Sequence, residues 1–70
     1  MEKVKFTERE KEVMELIVEG LNNYHISDRL SVSYLTVKVY VSEIYKKLDV
    51  QNRIQAVVKY LMNNARISVK

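Results

Sequence analysis

Apolar residues recur along this chain with the three- and four-residue spacing of amphipathic helices, in four separate segments. The sequence contains no Pro and a single Gly, so few residues oppose helix formation. The pattern predicts an all-α fold with helices at about residues 8–19, 24–30, 34–48 and 53–62. Their inward faces are predicted to be Val13, Leu16 and Ile17; Ile26 and Leu30; Val37, Val41, Ile44 and Leu48; and Ala56, Val57 and Leu61.

Residues that cap helices stand beside each predicted segment. Thr7 and Glu10 have the spacing of a capping box, and Gly20 is suited to the left-handed turn that ends a helix. After the fourth segment, residues 63–70 are predicted to fray. The remaining caps are predicted to be Asn23 for the second helix, Ser33 for the third, and Asn52 with Gln55 for the fourth.

The second and third helices are separated only by Ser31, Val32 and Ser33. So short a link does not let two helices lie antiparallel, so we expect them to cross steeply, as in a helix-turn-helix. Ser27 lies where the two helices would touch, and a small side chain is needed there. In this motif the second helix enters the major groove of DNA.

The outward face of the third helix has an unusual composition. It is short of acidic residues and carries two apolar residues where a solvated helix would carry charge. In a DNA groove, apolar side chains contact thymine methyl groups and Lys donates to guanine. Alternatively, the two apolar residues pack against a partner helix. The face consists of Leu35, Lys38, Val39, Ser42 and Lys46.

Charge is distributed unevenly along the chain. Residues 1–20 contain six acidic and four basic residues, whereas residues 21–70 contain eight basic and three acidic residues. A basic region of this kind suggests a polyanionic partner for one face, although mildly basic domains are common.

Several classes of function are disfavoured. Without Cys there is no thiolate metal site or cysteine nucleophile, and the single His, His25, has no catalytic partners nearby in the sequence. No Gly-rich phosphate loop or pair of inward carboxylates is present, so we expect no enzyme, cofactor, metal or small-molecule substrate. No apolar run approaches the roughly 20 residues that span a bilayer. The sequence thus favours a cytoplasmic protein without a membrane partner.

Four segments carry a family resemblance. Residues 7–13 (TEREKEV), 21–23 (LNN), 36–48 (TVKVYVSEIYKKL) and 52–57 (NRIQAV) resemble the signature of LuxR-type (NarL/FixJ-like) domains. The resemblance covers about residues 6–62 and implies that residues 1–70 are one four-helix, tetrahelical helix-turn-helix domain. It also implies binding to repeated operator half-sites on double-stranded DNA, as a homodimer formed through the last helix.

The resemblance assigns roles to individual positions. Lys38 and Val39 match base-contacting positions, and Leu35 and Ser42 share their face. Tyr34 can donate its phenol to phosphate, as can Tyr24. Lys46 and Lys47 could instead be ordinary solubilising charges, and Arg53 could form a salt bridge. Positions that match phosphate contacts are Ser33, Thr36, Lys46, Lys47 and Arg53.

The fourth helix carries a second apolar surface. Val58 and Met62 face away from the predicted inner set, and Ile54 can join them. An exposed apolar patch on a monomer predicts an interface, here between two copies of the chain.

Two functions remain after this reading. The first is a sequence-specific DNA-binding transcription regulator, either free-standing or the output domain of a larger bacterial protein. The second is a protein-interaction module of the same fold that docks an acidic partner.

Overall fold

A computed structural model describes residues 4–69, with side chains for residues 4–63, and these residues form four helices and no strand. The helices are α1 (Glu8–Glu19), α2 (Asn23–Leu30), α3 (Tyr34–Leu48) and α4 (Arg53–Val69). The all-α prediction is confirmed. The bounds of α1 and α3 agree with the predicted ones, α2 begins one residue earlier, and α4 continues past its predicted end at residue 62.

The predicted N-terminal caps are confirmed for two helices. Thr7 Oγ1 accepts a hydrogen bond from Glu10 N (3.1 Å), and Glu10 Oε1 accepts one from Thr7 N (3.0 Å), which completes the capping box of α1. The Ser33 hydroxyl caps α3 by accepting from Thr36 N at 3.0 Å. Both caps satisfy amides that have no partner within the helix.

The other two N-termini differ from the prediction in detail. Asn22, rather than Asn23, caps α2, because Asn22 Oδ1 accepts from His25 N at 2.9 Å. At α4, Asn52 Oδ1 accepts from Gln55 N as expected, at 2.9 Å. The Gln55 carboxamide reaches back to Gln51 N (2.9 Å) instead of to the amide of the cap residue. Asn22 and Asn23 offer the same side-chain chemistry, so the sequence alone did not show which of the two caps α2.

The predicted fraying after Met62 is wrong for the backbone, which stays helical to Val69. Neither Gly nor Pro follows Arg53, so no residue breaks the helix there. Lys70 lies outside the described residues.

The first three helices end in the same left-handed turn. Gly20, Ser31 and Asp49 have φ angles of 102°, 58° and 58°. In each case the residue that follows donates its amide back into the last turn: Leu21 to Leu16 O (3.1 Å), Val32 to Ser27 O (3.1 Å) and Val50 to Tyr45 O (3.0 Å). These are Schellman motifs, and the residues that follow also pack on the core.

The turn at Asp49 is chemically unfavourable, which leads to a prediction. A non-Gly residue in the left-handed region is strained, and an acid beside a helix C-terminus opposes the helix dipole. Asp49→Asn keeps a side chain that tolerates this backbone and removes the charge, so it should raise the free energy of unfolding by about 0.3–1 kcal/mol. Chemical denaturation measures the change. Glu15→Gln, an exposed position within α1, is the matched control for charge, and equal stabilisation there would contradict the explanation.

The core lies between all four helices. The predicted inner residues of α1 and α3 are buried, apart from a half-buried Val41, and Met14 joins them although it was not predicted. On α4, Leu61 was assigned to the inner face but is 46% exposed; Tyr60, 7% exposed, takes that place. The core residues are Val13, Met14, Leu16, Ile17, Ile26, Val37, Ile44, Leu48, Ala56 and Tyr60.

The helix α3 packs against each of the other three helices. On α2, Ser27 is buried and donates its hydroxyl to Tyr24 O at 2.7 Å. Its burial agrees with the predicted close approach of α2 and α3, and the contact of Ser27 with α3 stays a prediction. The helices α2 and α3 with the turn at Ser31 form the helix-turn-helix, and α1 and α4 support it.

Candidate nucleic-acid interface

The outward face of α3 is open to solvent along its N-terminal half. Leu35 is 69% exposed and Val39 is 60% exposed, and Lys38 and Ser42 are also exposed. Between them Val37 is completely buried, so the core and the outward face divide this helix cleanly. All four side chains predicted to contact bases therefore share one accessible face.

The first turn of α3 presents two linked hydroxyl groups. Ser33 Oγ donates to Thr36 Oγ1 at 2.9 Å while it accepts from Thr36 N. Since Thr36 Oγ1 accepts this bond, its own proton remains available for an outside acceptor. The first turns of α2 and α3 contain no acid, whereas that of α1 contains Glu8 and Glu10. The positive N-terminal ends of α2 and α3 are therefore not offset by nearby carboxylates.

An aromatic pair joins the N-termini of α2 and α3. The rings of Tyr24 and Tyr34 are stacked, with centroids 4.3 Å apart and planes inclined by 17°. The Lys38 ammonium lies 5.8 Å from the centroid of the Tyr34 ring. The contact between the two tyrosines was not predicted from the sequence, in which each was considered separately. The four-residue spacing of Tyr34 and Lys38 was a signal for the contact between those two residues.

Lys46 is the more accessible of the two adjacent lysines. Its side chain is 72% exposed, and its only ion pair among the described residues is a 3.7 Å contact with Glu43, which is itself half exposed. A surface pair of this kind is weak and easily exchanged for another anion. Lys46 therefore remains able to reach a ligand.

Lys47 is engaged within the protein, and its predicted phosphate contact stays a prediction. Its ammonium lies 2.6 Å from Glu10 Oε1, donates to Lys5 O at 3.1 Å, and approaches the Phe6 ring. Burial raises the pKa of Glu10, but hydrogen bonds from Lys47 and Thr7 outweigh it and hold the pKa below its ordinary value. Lys47 thus joins the end of α3 to the start of α1, where its charge already has a partner.

Arg53 and Lys59 close the ends of other helices. The Arg53 guanidinium donates to Leu21 O, just after α1, and Lys59 Nζ donates to Leu48 O, the last residue of α3, at 3.0 Å. Unpaired carbonyls at helix ends favour cations. Arg53 stands in the first turn of α4, where a cation is unfavourable to the helix dipole. Its contact with Leu21 O gives that charge a partner, and the predicted phosphate contact stays a prediction.

The outer face of α4 carries an apolar stripe. Ile54, Val58 and Met62 are 77%, 49% and 62% exposed, as the predicted interface requires. Leu61, which the sequence analysis placed inside, belongs to this surface as well. Ile54, Val58 and Leu61 follow a four- and three-residue spacing and form a continuous ridge.

Three other observations concern the part of the chain that the structure describes. No helix in that part has the length and apolar character to cross a membrane. No group of three potential ligand residues is placed to hold a metal ion within the same part of the chain. His25 is exposed and lines a shallow depression with Leu21, Asp28 and Arg29.

Comparison with known proteins gives a consistent result. The family described as "Bacterial regulatory proteins, luxR family" matches residues 4–60. The chain is 47% identical to the transcriptional regulatory protein DesR of Bacillus subtilis over 53 residues, which are 76% of this chain and 27% of DesR. It is 43% identical to the response regulator protein VraR of Staphylococcus aureus over 58 residues, 83% of this chain and 28% of VraR.

The match spans most of this chain but under a third of either relative. The family match, over residues 4–60, includes all of α1, α2 and α3 and the first part of α4. These segments hold the exposed α3 face, the serine-capped N-terminus and the short turn before it. The chain therefore belongs to the luxR family of bacterial regulatory proteins, as a helix-turn-helix DNA-binding domain.

Proposed function

We propose that this chain binds repeated half-sites on double-stranded DNA as a homodimer and thereby regulates transcription, alone or as the output domain of a longer regulator. The observation that carries the proposal is the outward face of α3, which exposes Leu35, Lys38 and Val39 while Val37, Ile44 and Leu48 on the opposite side are buried. A helix of this composition fits the major groove, where base edges offer both methyl groups and acceptors. We propose a cytoplasmic location, no catalytic step and no cofactor.

Base readout is assigned to the exposed face of α3. Lys38 donates to O6 or N7 of guanine, and Leu35 and Val39 contact thymine methyl groups. Ser42 lies a turn beyond Lys38 and is short, so it reaches a base edge directly or through a water molecule. These contacts set which sequence is preferred, whereas most of the affinity comes from the phosphates.

Phosphate binding is assigned to the start of α3 and to Lys46. The Thr36 hydroxyl has a proton to donate, the Tyr34 phenol lies in the same turn, and Ser33 orients Thr36. The helix end adds a favourable field for an anion. Lys47 and Arg53 are left out because their charged groups already have partners in the protein.

Dimer formation is assigned to the apolar stripe of α4. Two copies related by a twofold axis would cover Ile54, Val58, Leu61 and Met62 of each other, since a twofold interface uses the same patch on both subunits. Such a dimer would place two copies of α3 on successive half-sites.

The role of Lys38 can be tested on an operator selected from random DNA. Lys38→Ala should weaken binding to that operator by about 1–3 kcal/mol and bind non-cognate DNA with little change, because it removes a base contact. Lys46→Ala is the matched control. It should weaken all sequences about equally and reduce the log–log salt slope by about 1, because it removes one phosphate contact. Fluorescence anisotropy titrations measure both.

Two results would contradict the assignment. Equal losses on cognate and random DNA for Lys38→Ala would remove this residue from base readout. Absent DNA binding, together with salt-sensitive binding of an acidic protein, would favour the protein-interaction module, in which the exposed Leu35 and Val39 meet a partner protein instead.

A further inference from the structure

We propose that Tyr24 and Tyr34 are positioning residues for Lys38, so that a side chain of α2 helps to set the base preference of α3. The proposal rests on the proposed role of Lys38 in base readout. It draws on three groups in line: the Tyr24 ring stacked on the Tyr34 ring, and the Lys38 ammonium near the latter. We call these three residues the tyrosine ladder.

The geometry of α3 explains the contact between Lys38 and Tyr34. They stand four residues apart, and long side chains on a helix lean toward its N-terminus, so Lys38 reaches back over the preceding turn. An ammonium within about 6 Å of a ring centroid is attracted by the electron-rich ring face. A free lysine side chain has many rotamers to lose on binding a base, and this attraction restricts them beforehand.

Tyr24 in turn holds Tyr34 in place. Stacking at 4.3 Å favours the observed orientation of the Tyr34 ring over others. Tyr24 is itself fixed at the start of α2, whose first turn is capped by Asn22 and whose Tyr24 carbonyl accepts from the buried Ser27 hydroxyl. The ladder therefore transmits the position of α2 to the tip of Lys38.

The stacked pair is not needed to complete the core. Tyr24 is 63% exposed, and neither tyrosine belongs to the buried cluster or to the residues packed against it. Tyr24 is exposed and Tyr34 half-buried, so their stacking beside the groove-reading face is better explained by what it does for Lys38 than by a contribution to the core.

The ladder can be observed without DNA. In the free 70-residue chain, the Lys38 side-chain methylene protons should show upfield ring-current shifts in a two-dimensional NMR spectrum. Tyr34→Leu should abolish these shifts, and Tyr24→Leu should reduce them by letting the Tyr34 ring turn. Shifts that are unchanged in Tyr34→Leu would overturn the ladder whether or not the chain binds DNA, so this measurement is independent of the proposed function.

The effect of the tyrosine ladder on base preference is tested by measuring affinity for two DNAs: the selected operator, and an operator altered at the base that Lys38 contacts. Tyr34→Leu should lower the ratio of the first affinity to the second by about two- to fivefold, the range of an exposed cation–π contact. Tyr24→Leu should narrow it less. Tyr24→Phe, which keeps the ring but loses the hydroxyl, should preserve the ratio.

Double-mutant cycles separate positioning from a direct phosphate contact. In a Lys38→Ala background, Tyr34→Leu should no longer change the ratio, whereas in a Lys46→Ala background it should narrow the ratio as in the wild-type chain. Equal effects of Tyr34→Leu in both backgrounds would overturn the proposal. So would a loss that is the same on both DNA sequences, because it would mark the tyrosine as a phosphate contact only.

Discussion

Replacing Val58 with Asp should lower the affinity for an operator with two half-sites by about 100-fold or more, while binding to a single half-site changes little. The reason is that joining two DNA-binding units raises the effective concentration of the second, which is worth about 10²–10⁴ in affinity. Val58 lies within the exposed ridge of α4 between Ile54 and Leu61. A carboxylate there would lose its water in a dimer without gaining a partner.

The matched control is Asn63→Asp, because it adds the same charge on the same helix. Asn63 is exposed, and its position is about half a helical turn away from the ridge of Ile54, Val58 and Leu61. Sedimentation velocity should show that Val58→Asp reduces self-association and that Asn63→Asp does not. Val58→Asp and Asn63→Asp could instead weaken binding equally, on DNA with one half-site and on DNA with two. The effect would then be charge repulsion from phosphate, and the α4 interface would not be supported.

The helices could be predicted from the sequence because local signals agreed with the apolar pattern. Thr7 with Glu10, and Ser33 before its helix, are caps that act within one turn, so neighbouring residues suffice to identify them. The turns at Ser31 and Asp49 were not foreseen, since Ser rarely adopts a left-handed backbone and Asp does so only occasionally. They follow from packing, which needs Val32 and Val50 turned toward the core.

The candidate site was predicted less completely, for a related reason. Exposure of Leu35, Lys38 and Val39 follows from helical periodicity and was correctly expected. The fate of the other cations depends on contacts between distant parts of the chain. Lys47 meets Glu10, and Arg53 meets the carbonyl of Leu21. No spacing rule within one helix identifies such partners, so adjacent lysines that look equivalent in sequence have different contacts.

Replacing Lys47 by Met should therefore lower mainly the stability of the fold, whereas replacing Lys46 by Met should change mainly DNA binding. Lys47→Met leaves Glu10, a carboxylate whose side chain is 8% exposed, without its cation. Removing one partner of a fully buried pair costs about 3–5 kcal/mol; because the Lys47 side chain is 34% exposed, solvent screening reduces the expected loss of unfolding free energy to about 1–3 kcal/mol. For a chain this short, that is a large part of the total stability.

Lys46→Met should change the unfolding free energy by less than about 0.5 kcal/mol, as is usual for exposed positions. It should instead reduce the salt slope of DNA binding, which Lys47→Met should leave unchanged under conditions where the variant is folded. Urea denaturation and anisotropy titrations measure the two properties on the same samples. A salt slope lowered equally by both substitutions would return Lys47 to the phosphate contacts.

Acid provides an independent test of the Glu10–Lys47 pair. The pKa of Glu10 is lower in the folded chain than its ordinary value of 4.5, so its ionisation stabilises the fold above that pH. This stabilisation is lost as the pH falls from about 4.5 through the folded pKa, because the unfolded chain then binds a proton first. In Lys47→Met the bond from Lys47 is gone and burial opposes the charge, so the acid-dependent loss should be smaller than in the wild-type chain. An identical pH dependence in both chains would show that the two residues do not stabilise each other.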